Sequence, residues 1–462
     1  MRTTRPRRTT RVMAGSRVLA FAVAAAAVVV LVKTGGHSTG GGYSSIPAPG
    51  PPTVNAAVRP VVDNSAVPDP AGVAAALAAA AADPNLGKLG ARVTDALTGK
   101  ELWARFDNVP MVPASTNKVL TASAALLTLD RQARISTKVV AGRQGASAPV
   151  VLVGAGDPTL SAAPPGVETW YRGAARISDL VEQVRRSGVT PTAVQVDISA
   201  FTGPTFAPGW DPADIAGGDI APIEAAMIDA GRIQPTTVES RRSPTPAMDA
   251  GRALAKALDL DPAVVSIGSA PPGARQLAVV QSAPLIQRLS EMMNASDNVM
   301  AECIAREVAA AINRPRSFTG AADAVRNQLN SVHISTAGAT LMDSSGLSED
   351  DRLTARILDA VLNAAAGPDQ PALRPLLDLL PIAGGSGTLG DRFLDGSSKS
   401  GPAGLLRAKT GSLTAVNALT GVLTDAGGRV LTFAFISNDA GIRGRTALDA
   451  LATKLWFCGC VR

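Results

Sequence analysis

Aromatic residues make up only 3% of this 462-residue chain, and only two histidines occur, His37 and His333. So few aromatic rings argue against a base-stacking surface for nucleic acid and against an aromatic-lined sugar cleft. With two histidines, one of them in a Gly-rich stretch, no metal site is credible, and no cofactor is expected. Cysteine is scarce as well: Cys303, Cys458 and Cys460. An odd count leaves at least one thiol free or paired between chains. Cys303 pairs with Cys458 or Cys460 if the C-terminus docks near its helix; the alternative is buried thiols with no bridge. Acidic residues are missing from the first 33 positions, where Arg2, Arg5, Arg7, Arg8, Arg11, Arg17 and Lys33 lie. Those seven positive charges exceed the net charge of +6, so the rest of the chain sums to −1. The basic balance therefore belongs to the N-terminus and not to a phosphate-binding face.

What is present at that N-terminus is an export signal. Val18 to Val32 is uninterrupted apolar sequence of 15 residues, the length of a signal-peptide core and short for a full membrane span. Residues 1–33 read as a signal peptide or an uncleaved N-terminal membrane anchor, and both readings stay open. Either way the protein is expected in the cell envelope or secreted. Residues 34–70, rich in Gly, Pro and Ser, read as a flexible linker.

The folded part is expected from Ala71. The Ala-rich run 71–82 predicts a helix. Gly90–Ala96 and Glu101–Phe106 predict two strands joined by a turn at Leu97-Thr98-Gly99-Lys100. A helix is expected from Ser115 through Leu127. From about 138 to 245, short strands alternate with Pro/Gly turns, as in an inserted, mostly β domain. Helical periodicity returns at Ala247–Leu258, and a further helix at Ala283–Met293 delivers Ser296. Ala415–Leu423 and Arg429–Ile436 read as strands, and about Ile442–Leu455 as a last helix. The expected architecture is α/β in composition (α+β in arrangement): a helix-flanked antiparallel sheet, its first and last strands from opposite ends of the chain, in two parts at 71–137 and 246–462.

Three short motifs fall in one order: Ser115-Thr116-Asn117-Lys118, then Ser296-Asp297-Asn298, then Lys409-Thr410-Gly411-Ser412. Order is the informative part, because each motif alone occurs by chance; Lys33-Thr34-Gly35 is such a chance copy. Ser115 and Lys118, three residues apart, share a helix face. A serine hydroxyl needs a base to become a nucleophile, and a buried lysine with a lowered pKa can serve. A second serine, Ser296, can pass a proton to a departing amine, and Asn298 can both hold a substrate amide and order Lys118. Lys409 and Thr410 on an edge strand offer a charge and a hydroxyl to a substrate carboxylate, and Gly411 a close backbone approach. The backbone N–H groups of Ser115 and Ser412 are candidates for an oxyanion hole. A Ser-His-Asp triad would have to use His333, and no G-x-S-x-G surrounds a candidate serine.

Taken together, these motifs resemble those of the low-molecular-mass class C penicillin-binding proteins, the D-alanyl-D-alanine carboxypeptidases/endopeptidases. The resemblance extends to Pro113-Ala114 before Ser115, to Gly154-Ala155-Gly156-Asp157-Pro158-Thr159-Leu160, to Ser296 through Glu302, to Asp343-Ser344-Ser345-Gly346-Leu347-Ser348 and to Lys409 through Leu413. It covers about residues 71–457. Ser344, Glu349 and Asp351 depart from the family's loop. The 181 residues between Ser115 and Ser296 leave room for the domain that the family inserts there. What the resemblance implies is a penicillin-binding/serine β-lactamase-like fold and acylation of Ser115 by a peptidoglycan stem peptide ending in D-Ala-D-Ala. D-Ala then leaves and the ester is hydrolysed. β-Lactam antibiotics would acylate the same serine. Leu347, with Thr410, Gly411 and Ser412, is implied on the substrate side. Two other readings compete: a β-lactamase, which the long insert disfavours, and a non-catalytic wall-binding or sensor protein, which the intact Ser115, Lys118, Ser296, Asn298 and Lys409 disfavour.

Overall fold

The computed structural model describes residues 65–143, 145, 147–394 and 401–460; the expected export segment and most of the linker lie outside these. A five-stranded antiparallel sheet runs in the order β2-β1-β10-β9-β8. Its strands are β1 (Lys88–Asp95), β2 (Glu101–Arg105), β8 (Leu406–Leu413), β9 (Val416–Thr424) and β10 (Val430–Asn438). β1 pairs with β10 from Lys88 opposite Asn438 to Asp95 opposite Leu431, so opposite ends of the chain close one sheet. β8 is an edge strand, as expected for the K-T-G segment.

Each face of this sheet has its own cover. α1 (Pro70–Ala81) is nearly pure Ala, capped by the Asp69 carboxylate at the Gly72 N–H. It buries Val73, Leu77 and Ala81, a stripe at i, i+4 and i+8. α11 (Gly444–Phe457) joins it through Leu448, Leu451 and Leu455 against Phe433 and Phe435 of β10. Against the other face lies a helical layer of α2 (Lys118–Thr128), α7 (Asn298–Ala311), α8 (Phe318–Ser331) and α9 (Ala355–Ala366). α2 is buried from Lys118 to Leu126, which its run of Val, Leu, Ala, Thr and Ser permits on all sides. α6 (Leu285–Ala295) and the short α10 (Leu376–Leu379) complete this layer.

A second sheet, in the order β6-β5-β4-β3-β7, is formed by β3 (Ser136–Ala141), β4 (Ser147–Val153), β5 (Thr190–Asp197), β6 (Val265–Ile267) and β7 (Gln276–Gln281). β4, β5 and β6 are parallel neighbours, and β3 is antiparallel to β4 and β7. Parallel pairing needs crossovers, and the chain supplies them with α3 (Ile177–Arg186) between β4 and β5 and α5 (Pro246–Ala257) before β6. Leu180, Val184, Ala250 and Leu254 of these helices pack on Val194 and Val196. The sheet therefore carries helices of its own and continues past residue 245. The helix expected at Ala247–Leu258 is present, yet it covers this sheet and not the first. Periodicity reveals a buried face without saying which surface buries it. A short helix, α4 (Ala213–Gly217), lies on the chain between β5 and α5.

Candidate active site

Ser115 does not begin an α-helix. It sits in a 3-10 turn, Ala114–Asn117, that runs directly into α2 at Lys118. Ala114, fully buried, is held at φ 48°, a left-handed conformation that costs an alanine about 1 kcal/mol or more. Two glycines let other segments press on this turn. A Cβ on Gly346, itself at φ 80°, would lie 1.9 Å from the Ala114 carbonyl oxygen. One on Gly411 would lie 2.8 Å from the Pro113 carbonyl oxygen. The structure thus gives Gly411 a role the sequence did not suggest: it lets β8 approach the Ser115 turn.

Lys118 is buried completely and donates at 2.9 Å to Ser115 Oγ, 2.6 Å to Asn298 Oδ1 and 2.8 Å to the Ser345 carbonyl. Burial lowers its pKa to about 8, against the opposing field of Asp343, Asp297, Glu302 and Asp351. Asn298 is fixed in turn, its Nδ2 donating to the Asp219 carbonyl at 3.0 Å. Ser296 links α6 to α7 in a left-handed conformation, φ 58°, while Asp297 caps α7 at the Met300 N–H. Tyr171 OH donates to the other Asp297 oxygen at 2.5 Å. Lys409, also fully buried, donates to Ser296 Oγ and to the Thr410 carbonyl, both at 2.9 Å. Its pKa is pushed well down by burial and then by the charge of Lys118.

The loop 343–348 is a buried support. Asp343 accepts from the N–H groups of Ser345, Gly346 and Ser348 and from Trp210 Nε1. Ser344 donates its N–H to Glu302 Oε1 at 2.8 Å, and its carbonyl accepts from Thr121. Glu302, paired with Arg306 at 3.1 Å, has its pKa raised to about 7 by burial and by Asp343. Two of the loop's departures, Ser344 and Asp351, are buried beneath the cleft. Glu349, the third, lines it.

The cleft itself has a volume of about 1000 Å³ and is lined by Ser115, Ser296, Asn298, Leu347, Thr410 and Ser412 among others. All of the expected site residues converge here: Lys118 and Lys409 lie buried behind the two serines, and Gly411 lies under the rim. Sequence reasoning missed several neighbours. Thr388 shares a 2.8 Å hydrogen bond between its Oγ1 and that of Thr410. Asp211, Asp214, Asp219 and Glu349 line the cleft, and burial followed by the fields of Asp219 and Asp211 raises the Asp214 pKa. Arg392 and Arg445 line it too. The Trp210-Asp211-Pro212-Ala213-Asp214 run was the available signal: a tryptophan among acids in a chain poor in aromatics. His333 lies exposed after α8, lining a different cavity. Cys303 is a free, buried thiol, and the disulfide joins Cys458 to Cys460, two residues apart. This corrects the pairing of Cys303 with the C-terminus: Cys303 is enclosed within α7 among the helical layer, while Cys460 lies beside Gly72 at the start of α1.

The family described as D-Ala-D-Ala carboxypeptidase 3 (S13) matches residues 73–242 and 236–455. The chain belongs to this family. Residues 1–60 match a further domain, the carboxypeptidase Rv3627c-like N-terminal domain. Carboxypeptidase Rv3627c of Mycobacterium tuberculosis is 75% identical over 457 residues, covering 99% of each chain. Carboxypeptidase DacB of Mycolicibacterium smegmatis is 61% identical over 461 residues, covering 100% of each. Among solved structures, penicillin binding protein 4 (dacB) of Haemophilus influenzae superposes with a TM-score of 0.66 at 22% identity, over 84% of this chain and 99% of that one. The chain therefore shares this fold, a helix-flanked antiparallel sheet with a second, separate sheet.

Proposed function

We propose that this protein is a serine DD-peptidase that removes the terminal D-Ala from peptidoglycan stem peptides through an acyl-enzyme on Ser115. The observation that carries this reading is the buried Lys118 Nζ, 2.9 Å from Ser115 Oγ and 2.6 Å from Asn298 Oδ1, beside a second pair in which buried Lys409 donates to the half-buried Ser296. Neutral Lys118 takes the Ser115 proton as Oγ attacks the penultimate D-Ala carbonyl. The N–H groups of Ser115 and Ser412 receive the oxyanion. Thr410 and Ser412 hold the terminal carboxylate, Lys409 behind them supplies positive charge, and Ser296 relays a proton to the amine as the C–N bond breaks. Leu347 borders the acyl side. Water then cleaves the ester, with Lys118 as base. β-Lactams enter by the same attack and leave an ester on Ser115.

The acidic side of the cleft favours stem peptides that carry a free ammonium group, since four carboxylates there create a negative field. The chain works outside the cytoplasm, exported by its N-terminal segment, with the catalytic core in two stretches around an insert that spans the second sheet. The test is D-Ala release from a peptide ending in D-Ala-D-Ala. Wild type releases it, and Ser115→Ala loses roughly 10⁴-fold or more in kcat/KM. Full activity in that variant rejects the nucleophile.

A further inference from the structure

Beyond the main cleft the structure holds a second cavity of about 400 Å³, within the range of ligand sites. The two meet at Asp219, Ala295, Ser296, Asn298 and Thr388, which line both. Only the main cleft touches Ser115, Leu347 and Ser412; the side chamber begins past Ser296 and Thr388 and runs away from the nucleophile. Thr388 is bonded to Thr410, and Ser296 to Lys409. Those residues receive the part of the substrate that departs, so the chamber lies on the leaving-group side.

The walls are built rather than incidental. The Arg232 guanidinium stacks 3.8 Å above the Trp170 ring and donates to the Thr237 and Val238 carbonyls at 2.8 and 3.2 Å. Arg242, 5% exposed, donates to the Gly218 and Ala230 carbonyls at 2.9 and 2.7 Å. These bonds hold the segment 217–242 as a fixed roof over the chamber. Glu239 and Asn294 line it as well. A flat aromatic–guanidinium face flanked by acid, base and amide groups suits a peptide chain, which has planar amides and charges of both signs. A free D-Ala needs no such room.

We propose that this chamber binds the second stem peptide of a cross-link, the peptide carried by the leaving amine when the enzyme acts as an endopeptidase. The inference rests on the DD-peptidase reading. The bond cleaved is the same: Ser115 Oγ bonds to the D-alanyl carbonyl carbon, the C–N bond breaks, and the leaving amine takes the proton relayed through Ser296. What differs is the substituent on that amine, which threads past Ser296 and Thr388 to lie against Trp170 and Arg232.

The experiment compares kcat/KM for a pentapeptide ending in D-Ala-D-Ala with that for a purified cross-linked muropeptide dimer, using wild type, Trp170→Ala and Val238→Trp. Val238 is 70% exposed and lines the chamber, so the larger ring narrows it without disturbing the core. The expected result is a loss of about tenfold or more on the dimer with the pentapeptide rate changed by less than about threefold. Equal losses on both substrates in both variants, or no loss on the dimer, overturn the chamber assignment. Wild type that hydrolyses the pentapeptide and leaves the dimer intact also overturns it. Wild type inactive on the pentapeptide as well would instead reject the DD-peptidase reading itself.

Discussion

Two buried lysines share this cleft, each donating at 2.9 Å to a serine hydroxyl, yet their surroundings differ. Lys118 faces Asp343, Asp297, Glu302 and Asp351, whose fields offset much of the penalty of burial and leave its pKa at about 8. For Lys409, burial and the charge of Lys118 push the same way, with no carboxylate field among the described residues to oppose them, and its pKa is held well down. Lys118, bonded to the nucleophile, changes charge near working pH. Lys409 is suited to a different task. A substrate carboxylate arriving at Thr410 and Ser412 favours its charged form, so binding itself sets its protonation.

The sharpest way to break this contrast is to remove each amine. Lys118→Met is expected to lower acylation by a labelled β-lactam about 10³-fold or more, since a general base is lost from beside Ser115. Lys409→Met should cost less, about 10²-fold, by removing an electrostatic partner of the substrate. Stopped-flow acylation rates compare the two, and equal losses would end the distinction. Next in size is pH. Lys118 is protonated below about 8 and cannot accept a proton there, so kcat/KM for acylation should rise roughly tenfold per pH unit up to about 8 and level off above it. A rate independent of pH between 6 and 8 would contradict Lys118 as base.

Much of this site was legible in the sequence because its chemistry is tied to residue type and order. Ser115, Lys118, Ser296 and Asn298 meet in one cleft and Lys409 lies on an edge strand, as the motifs suggest, but the bond from Lys409 to Ser296 is seen only in three dimensions. The rest depends on three-dimensional neighbours that leave no local mark. Gly411 reads as room for substrate, yet the atoms it would strike belong to Pro113 and Ala114. Ser344 and Asp351 read as departures from the family's loop, and burial removes both from the substrate's reach. The second sheet was recognised from its Val-rich strands. Its extension to Gln281 was hidden because β6 has only three residues and α5 looks like any amphipathic helix.

Smaller effects sharpen the picture at the rim. Thr388→Val removes the hydroxyl that steadies Thr410 and should raise KM for a peptide ending in D-Ala-D-Ala by a few-fold, about 1 kcal/mol, leaving folding intact by circular dichroism. Asp214→Asn should raise KM only about twofold for a stem peptide with a free amine, and not at all once that amine is acetylated.

The central claim is that Ser115 is the nucleophile of a penicillin-binding peptidase, served by Lys118. Its most direct test is to incubate the purified protein with a labelled penicillin, map the adduct by peptide mass spectrometry and follow its lifetime. The account predicts a long-lived ester on Ser115 that is absent from Ser115→Ala. An adduct on another residue, or none, would contradict it, and an ester lost within seconds would make the protein a β-lactamase.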